Sequence, residues 1–329
     1  MKMFKIEKPM KLHFLSVQVI LLIIIISACN SQQSEKIGKS TDLTTILPEN
    51  AAFEKLTVGY TFDTAGSPLY MNGELYFTNN NFDSPDGLSR TFRMGREGKI
   101  DTLVTGNHVT TSLRASGHGT IYACEMLGHR VVELDPNGQV LRVVADAYNG
   151  ARIDGPNDLV VDQKGGLYFS DSQFIAGREK MQPEPGVYYV SSDGQITKVI
   201  QNVVFPNGLA LSPDGSVLYV ANTQGTHILA YDVGEDGMVS NGRDFADVEL
   251  AEDGEISGAD GMTTDSQGNL YVATTQGLGV QIFNREGKHL GNITIPSVTN
   301  NVSFGGESGR MLYISAQDGI YSVELHVAG

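Results

Sequence analysis

Lys164-Gly165-Gly166-Leu167-Tyr168-Phe169 is a tight turn followed by a strand that opens on an apolar-Tyr pair. The pattern recurs along the chain. Other copies are Asn72-Gly73-Glu74-Leu75-Tyr76-Phe77, His118-Gly119-Thr120-Ile121-Tyr122-Ala123 and Asp214-Gly215-Ser216-Val217-Leu218-Tyr219. Gln267-Gly268-Asn269-Leu270-Tyr271-Val272 and Gly309-Arg310-Met311-Leu312-Tyr313-Ile314 complete a set of six. The tyrosines are separated by 46, 46, 51, 52 and 42 residues. Periods of that size mean one supersecondary unit per repeat.

Each repeat has a second half. Arg130-Val131-Val132-Glu133-Leu134-Asp135-Pro136-Asn137-Gly138 and Val280-Gln281-Ile282-Phe283-Asn284-Arg285-Glu286-Gly287 are strands that end in turns rich in Asp, Asn and Gly. Such turns supply the positive φ that hairpins need. No stretch after residue 50 sustains a helical period. Four short strands in each of six repeats predict an all-β, six-bladed β-propeller. The last repeat stops at Gly319-Ile320-Tyr321-Ser322-Val323-Glu324-Leu325, one strand short. Phe53-Glu54-Lys55-Leu56-Thr57-Val58-Gly59-Tyr60 is the candidate for the missing outer strand. Closing the ring with both termini would remove the open edge that a lone blade exposes.

Composition agrees with many short strands. Of 329 residues, 38 are Gly, 13 Tyr and 13 Phe, and charged residues are only 19%. A disordered chain would carry more charge and fewer apolar residues. The net charge of −15 repels phosphate backbones and argues against nucleic acid as a partner.

The first residues read as a targeting segment. Lys2, Lys5, Lys8 and Lys11 precede an apolar run ending in Val19-Ile20-Leu21-Leu22-Ile23-Ile24-Ile25-Ile26. That run is short of the roughly 20 residues that span a bilayer. A basic start and a small-residue end fit a secretory signal. Ile26-Ser27-Ala28-Cys29 resembles the bacterial lipobox, which implies cleavage before Cys29 and lipidation of its thiol. Residues 1–28 are then a lipoprotein signal peptide, 29–50 a lipidated polar tether, and 51–329 the propeller. The resemblance places the propeller outside the cytoplasm, in the periplasm or at the cell surface, with the membrane as partner through the Cys29 lipid. Loss of residues 1–28, with four Lys and one Glu, takes the charge to −18. Cys124, in Ile121-Tyr122-Ala123-Cys124, reads as a buried structural thiol.

One position per repeat converges on the channel. About eleven residues before each repeat Tyr lie Gly66, Thr111, Asn157, Asn207, Asp260 and Asn301. Asn157, Asn207 and Asp260 share closely similar contexts. Any one of them is equally a loop-capping side chain, whereas three at equivalent positions point to a site. A carboxylate with several amide oxygens suits Ca²⁺ and not zinc, which prefers His and Cys. His108, His118, His129 and His227 share no metal-ligand spacing and read as surface or loop residues. The Gly-x-Ser-x-Gly elbow of serine hydrolases is absent.

From about residue 55 to the end the chain resembles the regucalcin/gluconolactonase (senescence marker protein) family. Pro156-Asn157-Asp158-Leu159-Val160-Val161-Asp162, Phe205-Pro206-Asn207-Gly208-Leu209-Ala210-Leu211-Ser212-Pro213-Asp214-Gly215 and Asp260-Gly261-Met262-Thr263-Thr264-Asp265 carry the likeness. Thr299-Asn300-Asn301-Val302-Ser303-Phe304-Gly305-Gly306 resembles the family's closing motif. The resemblance implies a six-bladed propeller with a divalent cation, usually Ca²⁺, in its channel, acting on sugar lactones or similar small cyclic esters. It implies Asn207, Asp260 and Asn157 as metal ligands and Asp260 as base or nucleophile. Asn157, Glu125 and Asn301 would contact substrate.

The likeness is incomplete in blade one. The family's metal-binding Glu stands in a Glu-Gly-Pro-apolar-aromatic motif, and this chain reads Gly66-Ser67-Pro68-Leu69-Tyr70. Blade two departs too, with Thr111 where Asn is frequent and Met126 where His follows the Glu. Two functions therefore compete: a metal-dependent lactonase, and a non-catalytic binding propeller that has lost the Glu.

Overall fold

The computed structural model describes residues 41–83, 88–174 and 179–329. The expected signal peptide, Cys29 and the first part of the expected tether lie outside the described residues. Six four-stranded antiparallel sheets follow one another along the chain, with a small two-stranded ribbon between the second and third. The protein is the six-bladed propeller that the repeat predicts. Every repeat Tyr sits in the second strand of its blade: Glu74–Asn79, Ile121–Glu125, Leu167–Asp171, Val217–Asn222, Leu270–Thr274 or Met311–Ala316. These strands are covered by neighbouring blades on both faces, so both of their sides are apolar or small. The core is accordingly distributed between blades. Tyr122, Cys124, Leu159, Phe169 and Tyr188 form one such layer between blades two and three. Cys124 is fully buried there, and burial pushes its thiol pKa up.

The ring closes as expected. In the sixth sheet Glu54 and Lys55 pair antiparallel with Ser322 and Tyr321. Leu56 N donates to Ile320 O at 2.9 Å, and Ile320 N donates to Thr57 Oγ1 at 3.1 Å. Lys55 Nζ reaches Asp318 Oδ2 at 2.6 Å.

The end of the expected tether packs against the last blade. Residues 42–50 do not hang free. Leu43, Ile46 and Leu47 are buried against Ile293, Ile295, Leu325 and Val327. Leu47 N donates to Leu43 O at 2.8 Å, and His326 N to Ile46 O at 2.8 Å. Positions 43, 46 and 47 have the spacing of one helical face, and the single turn beginning at Thr41–Leu43 presents that face to the last blade. One apolar turn among polar neighbours carries little sequence signal. Leu43, Ile46 and Leu47, which fall in the expected tether, thus share the core of the last blade.

Neighbouring blades are laced together around the channel. Leu113 N donates to Ser67 Oγ, Thr111 Oγ1 to Asn157 O (2.6 Å), and Ser170 Oγ to Asn207 O (2.7 Å). Thr264 Oγ1 donates to Leu211 O (2.8 Å), Thr299 Oγ1 to Thr274 O (3.0 Å), and Asn300 Nδ2 to Ala65 O (2.7 Å). These bonds join one to two, two to three, three to four, four to five, five to six and six to one. They form a closed hoop of side chain–backbone bonds.

Candidate active site in the channel mouth

The innermost strands, Ala65–Met71, Thr110–Ala115, Pro156–Val161, Pro206–Leu211, Ala259–Thr264 and Thr299–Gly305, all begin at one mouth of the channel. Each shows a register shift close to its start, such as Pro156/Leu159, Pro206/Leu209 and Ala259/Met262. A bulge re-aims a side chain that the pleat would otherwise point into a sheet face. Here it delivers Asn157, Asn207 and Asp260 to the channel. Two glycines allow the strands to crowd together. A Cβ on Gly208 would lie 2.0 Å from Asp260 O, and one on Gly261 would lie 2.2 Å from Asn301 Cγ.

The resulting cleft has a volume of about 120 Å³. It is lined by Gly66, Thr111, Asn157, Asn207, Asp260 and Asn301, so all six channel positions meet in one place. The histidines His108, His118, His129 and His227 do not line it.

Asn207 is the most informative side chain. Its Nδ2 lies 3.0 Å from Thr223 Oγ1, and that hydroxyl spends its only proton on Ala259 O at 2.7 Å. The hydroxyl must therefore accept from the amide, which fixes Asn207 Oδ1 on the other side. That oxygen is buried and has no hydrogen-bond partner. Asn80 repeats the arrangement. Its Nδ2 donates to Thr110 O at 2.8 Å, while its Oδ1 is buried without a partner. Unpartnered buried amide oxygens are costly and call for a cationic or donor ligand.

Asp260 supplies the charge. Burial, and next the nearby Asp158 carboxylate, push its pKa up to about 8, although a hydrogen bond from Asn207 favours the ionised form. Asp158 is held in turn by Ser112 Oγ (2.6 Å), Leu209 N (3.0 Å) and Arg114. It occupies the position that Gly208 and Gly261 hold in the next two blades.

An oxygen-only set of Asp260, Asn207 and Asn157 is the donor chemistry of a hard divalent cation, and the orphaned Asn207 Oδ1 fits such an ion. Thr111 differs, because its hydroxyl is committed to Asn157 O and braces that residue. Asn301 lines the cleft, but its Oδ1 accepts from Val302 N at 2.8 Å. Gly66 puts no carboxylate at the channel position of blade one. Among the described residues no group of three or more His, Cys, Asp and Glu side chains gathers to hold a metal.

Glu125, an expected substrate contact, does not line the cleft. It is buried and locked to Arg130 Nε at 2.5 Å, and the neighbouring Met126 lines the cleft instead. Strand alternation sends adjacent residues opposite ways, and the ion pair takes the carboxylate. Sequence reasoning also missed Asn80, Phe82, Phe174 and Asn300, all of which line the cleft. Three of them stand just after second strands, in loops too irregular for the repeat to align. Asp158 was readable as a lone charge in a Gly/Ser/Val column.

Residues 64–318 match the model of the SMP-30/Gluconolactonase/LRE-like region. A gluconolactonase of Zymomonas mobilis is 30% identical over 232 residues, covering 67% of this chain and 64% of that protein. The lactonase drp35 of Staphylococcus haemolyticus is 30% identical over 232 residues, covering 70% of this chain and 61% of its own. The chain thus spans a little under two thirds of the length of these curated relatives. A solved gluconolactonase from Xanthomonas campestris superposes with a TM-score of 0.74 at 25% identity, over 88% of this chain and 94% of that one. Blades, channel cluster and matched region agree, and the chain belongs to the SMP-30/gluconolactonase/LRE-like family.

Proposed function

We propose that the protein is a metal-dependent hydrolase of lactones or similar small cyclic esters. The observation that carries this reading is the fixed, partnerless Oδ1 of Asn207 beside Asp260 in the channel mouth. Asn207, Asp260 and Asn157 would hold a divalent cation, for which Ca²⁺ is the best match to the donor set. When bound, such an ion polarises an ester carbonyl and lowers the pKa of attached water.

The chain's own residues supply the remaining chemistry. Asp260 is the carboxylate that the inner strand of blade five delivers to the cleft, where it can serve as general base. It can take a proton from the attacking water and return it to the alcohol oxygen that leaves as the ring opens. Thr111 braces the Asn157 backbone, Asn157 Nδ2 donates to Ser172 Oγ at 3.4 Å, and Thr223 fixes the Asn207 amide, which is thereby preorganised. Hydrolysis of a lactone panel by the parent and by Asp260→Asn tests the reading, and activity that survives the substitution refutes it.

Gly66 favours a second reading, a binding propeller without catalysis. Calcium affinity rises with the number of charged ligands, and blade one contributes none. A parent that binds neither calcium nor hydrolyses any lactone would establish that second reading. We also propose that Cys29 carries a lipid and anchors the propeller to the bacterial envelope outside the cytoplasm. The lipobox-like Ile26-Ser27-Ala28-Cys29 supports it.

A further inference from the structure

We propose that Phe82 and Phe174 form an apolar specificity wall, and that the preferred substrate is a lactone carrying an alkyl or aryl substituent rather than a polyhydroxylated sugar lactone. The proposal rests on the hydrolase reading above and narrows its substrate class.

Phe82 follows the second strand of blade one, and Phe174 the second strand of blade three. Both rings line the same cleft as Asp260 and Asn207. They meet edge to face with centroids 5.8 Å apart. Phe174 also meets Phe205 edge to face at 5.7 Å. Phe205 immediately precedes the inner strand of blade four that carries Asn207. Three blades thus contribute rings to one continuous surface. Phe82 and Phe174 remain 43% and 47% exposed. A single exposed Phe needs no explanation. Two that touch each other over the mouth of a polar cleft present apolar area to whatever enters.

Asn, Thr and Ser side chains make up most of the remaining lining, and one further apolar side chain joins the rings. Met126 stands where the buried Glu125 turns away to Arg130. Among the described residues the cleft lining contains no Lys, Arg or His. Of its two carboxylates, Asp158 is committed to Arg114, Ser112 and Leu209, and Asp260 belongs to the proposed cation site. Hydroxyl groups laid against the Phe faces would lose water without gaining partners. An alkyl chain laid there gains by leaving water. A carboxylate or phosphate substituent laid against the rings would meet no Lys, Arg or His among the described lining residues, in a chain of net charge −15.

The test compares kcat/KM of the full-length protein for an unsubstituted δ-lactone, the same ring bearing a hexyl chain, and glucono-δ-lactone. Each methylene buried against the wall is worth roughly two- to fourfold. The hexyl compound should therefore exceed the unsubstituted ring by at least about 30-fold, and glucono-δ-lactone should be the poorest. In the variant F82S/F174S the hexyl-to-unsubstituted ratio should fall below about three. Calorimetric binding of the corresponding non-hydrolysable lactams should show the same two ratios in Kd. A flat response, a preference for glucono-δ-lactone, or a hexyl preference that survives both substitutions overturns the wall. If no lactone is hydrolysed, the hydrolase reading fails, and the lactam ratios still decide whether the wall exists.

Discussion

Arg114 Nη2 stands 3.2 Å from Asp158 Oδ1 inside the ring, where the Asp158 side chain is 3% exposed. The pair joins blade two to blade three, beneath the cleft. Removing one partner of a buried pair leaves an uncompensated charge, at a cost of about 3–5 kcal/mol. Arg114→Met should lower the urea midpoint accordingly. Adding Asp158→Asn to that variant should restore much of the loss, because no bare carboxylate then remains. A double-mutant cycle by equilibrium denaturation checks both.

Asp260 gives stability a pH dependence of definite sign. Its pKa is about 8 in the folded metal-free protein, against an ordinary 3.8. Between those values the folded state binds more protons than the unfolded state, so stability falls as pH rises. The full loss, reached above pH 8, is on the order of 5 kcal/mol. Thermal denaturation in chelator should show a falling midpoint from pH 4 to 8. Asp260→Asn should flatten the curve, and excess Ca²⁺ should lift the parent's alkaline limb alone.

Gly66 has an ordinary φ, and a Cβ there would stand 3.0 Å from Thr78 Oγ1 and 3.5 Å from Asn80 Nδ2. A small shift of the Thr78 hydroxyl admits it. Gly66→Glu should therefore be tolerated and should add a charged ligand, raising Ca²⁺ affinity by roughly tenfold or more. Isothermal titration of parent and variant measures this. Unchanged affinity in a folded variant would mean that the side chain does not reach the site.

The closing strand and the turn before it should matter to the whole ring. Ile46 is 1% exposed, and Ile46→Ala should cost about 2–5 kcal/mol. Deleting residues 53–60 removes the Glu54–Ser322 and Lys55–Tyr321 pairing and should lower the melting temperature more steeply than that substitution. A deletion variant that melts like the parent would exclude this closure as a source of stability.

Cys29→Ser should abolish labelling by a fatty-acid probe and release the protein from the membrane fraction. A processed variant that still sediments with membranes would end the lipid-anchor proposal.

The fold was legible because the turn-apolar-Tyr unit repeats and its period is local. The inner-strand positions were legible for the same reason: counting back from Tyr168, Tyr219 and Tyr271 lands on Asn157, Asn207 and Asp260. What could not be counted was direction. Glu125 and Met126 are adjacent in sequence, and only the pairing with Arg130 decides which of them faces the channel. Phe82 and Phe174 lie in loops of unequal length, where no period constrains position. Leu43, Ile46 and Leu47 form a single helical turn, too short for periodicity to stand out.

The hydrogen-bonded hoop that runs from Ser67 through Thr111, Ser170, Thr264 and Thr299 to Asn300 has a mechanical consequence. Ligands drawn one per blade are spaced by circumference, as the jaws of a chuck are set by its collar. No jaw can open alone, because each is tied to the next. The ionic radius that the proposed cation site would accept is then a property of the whole ring, and a slightly wider blade on the far side would retune it as surely as a substitution in the cleft.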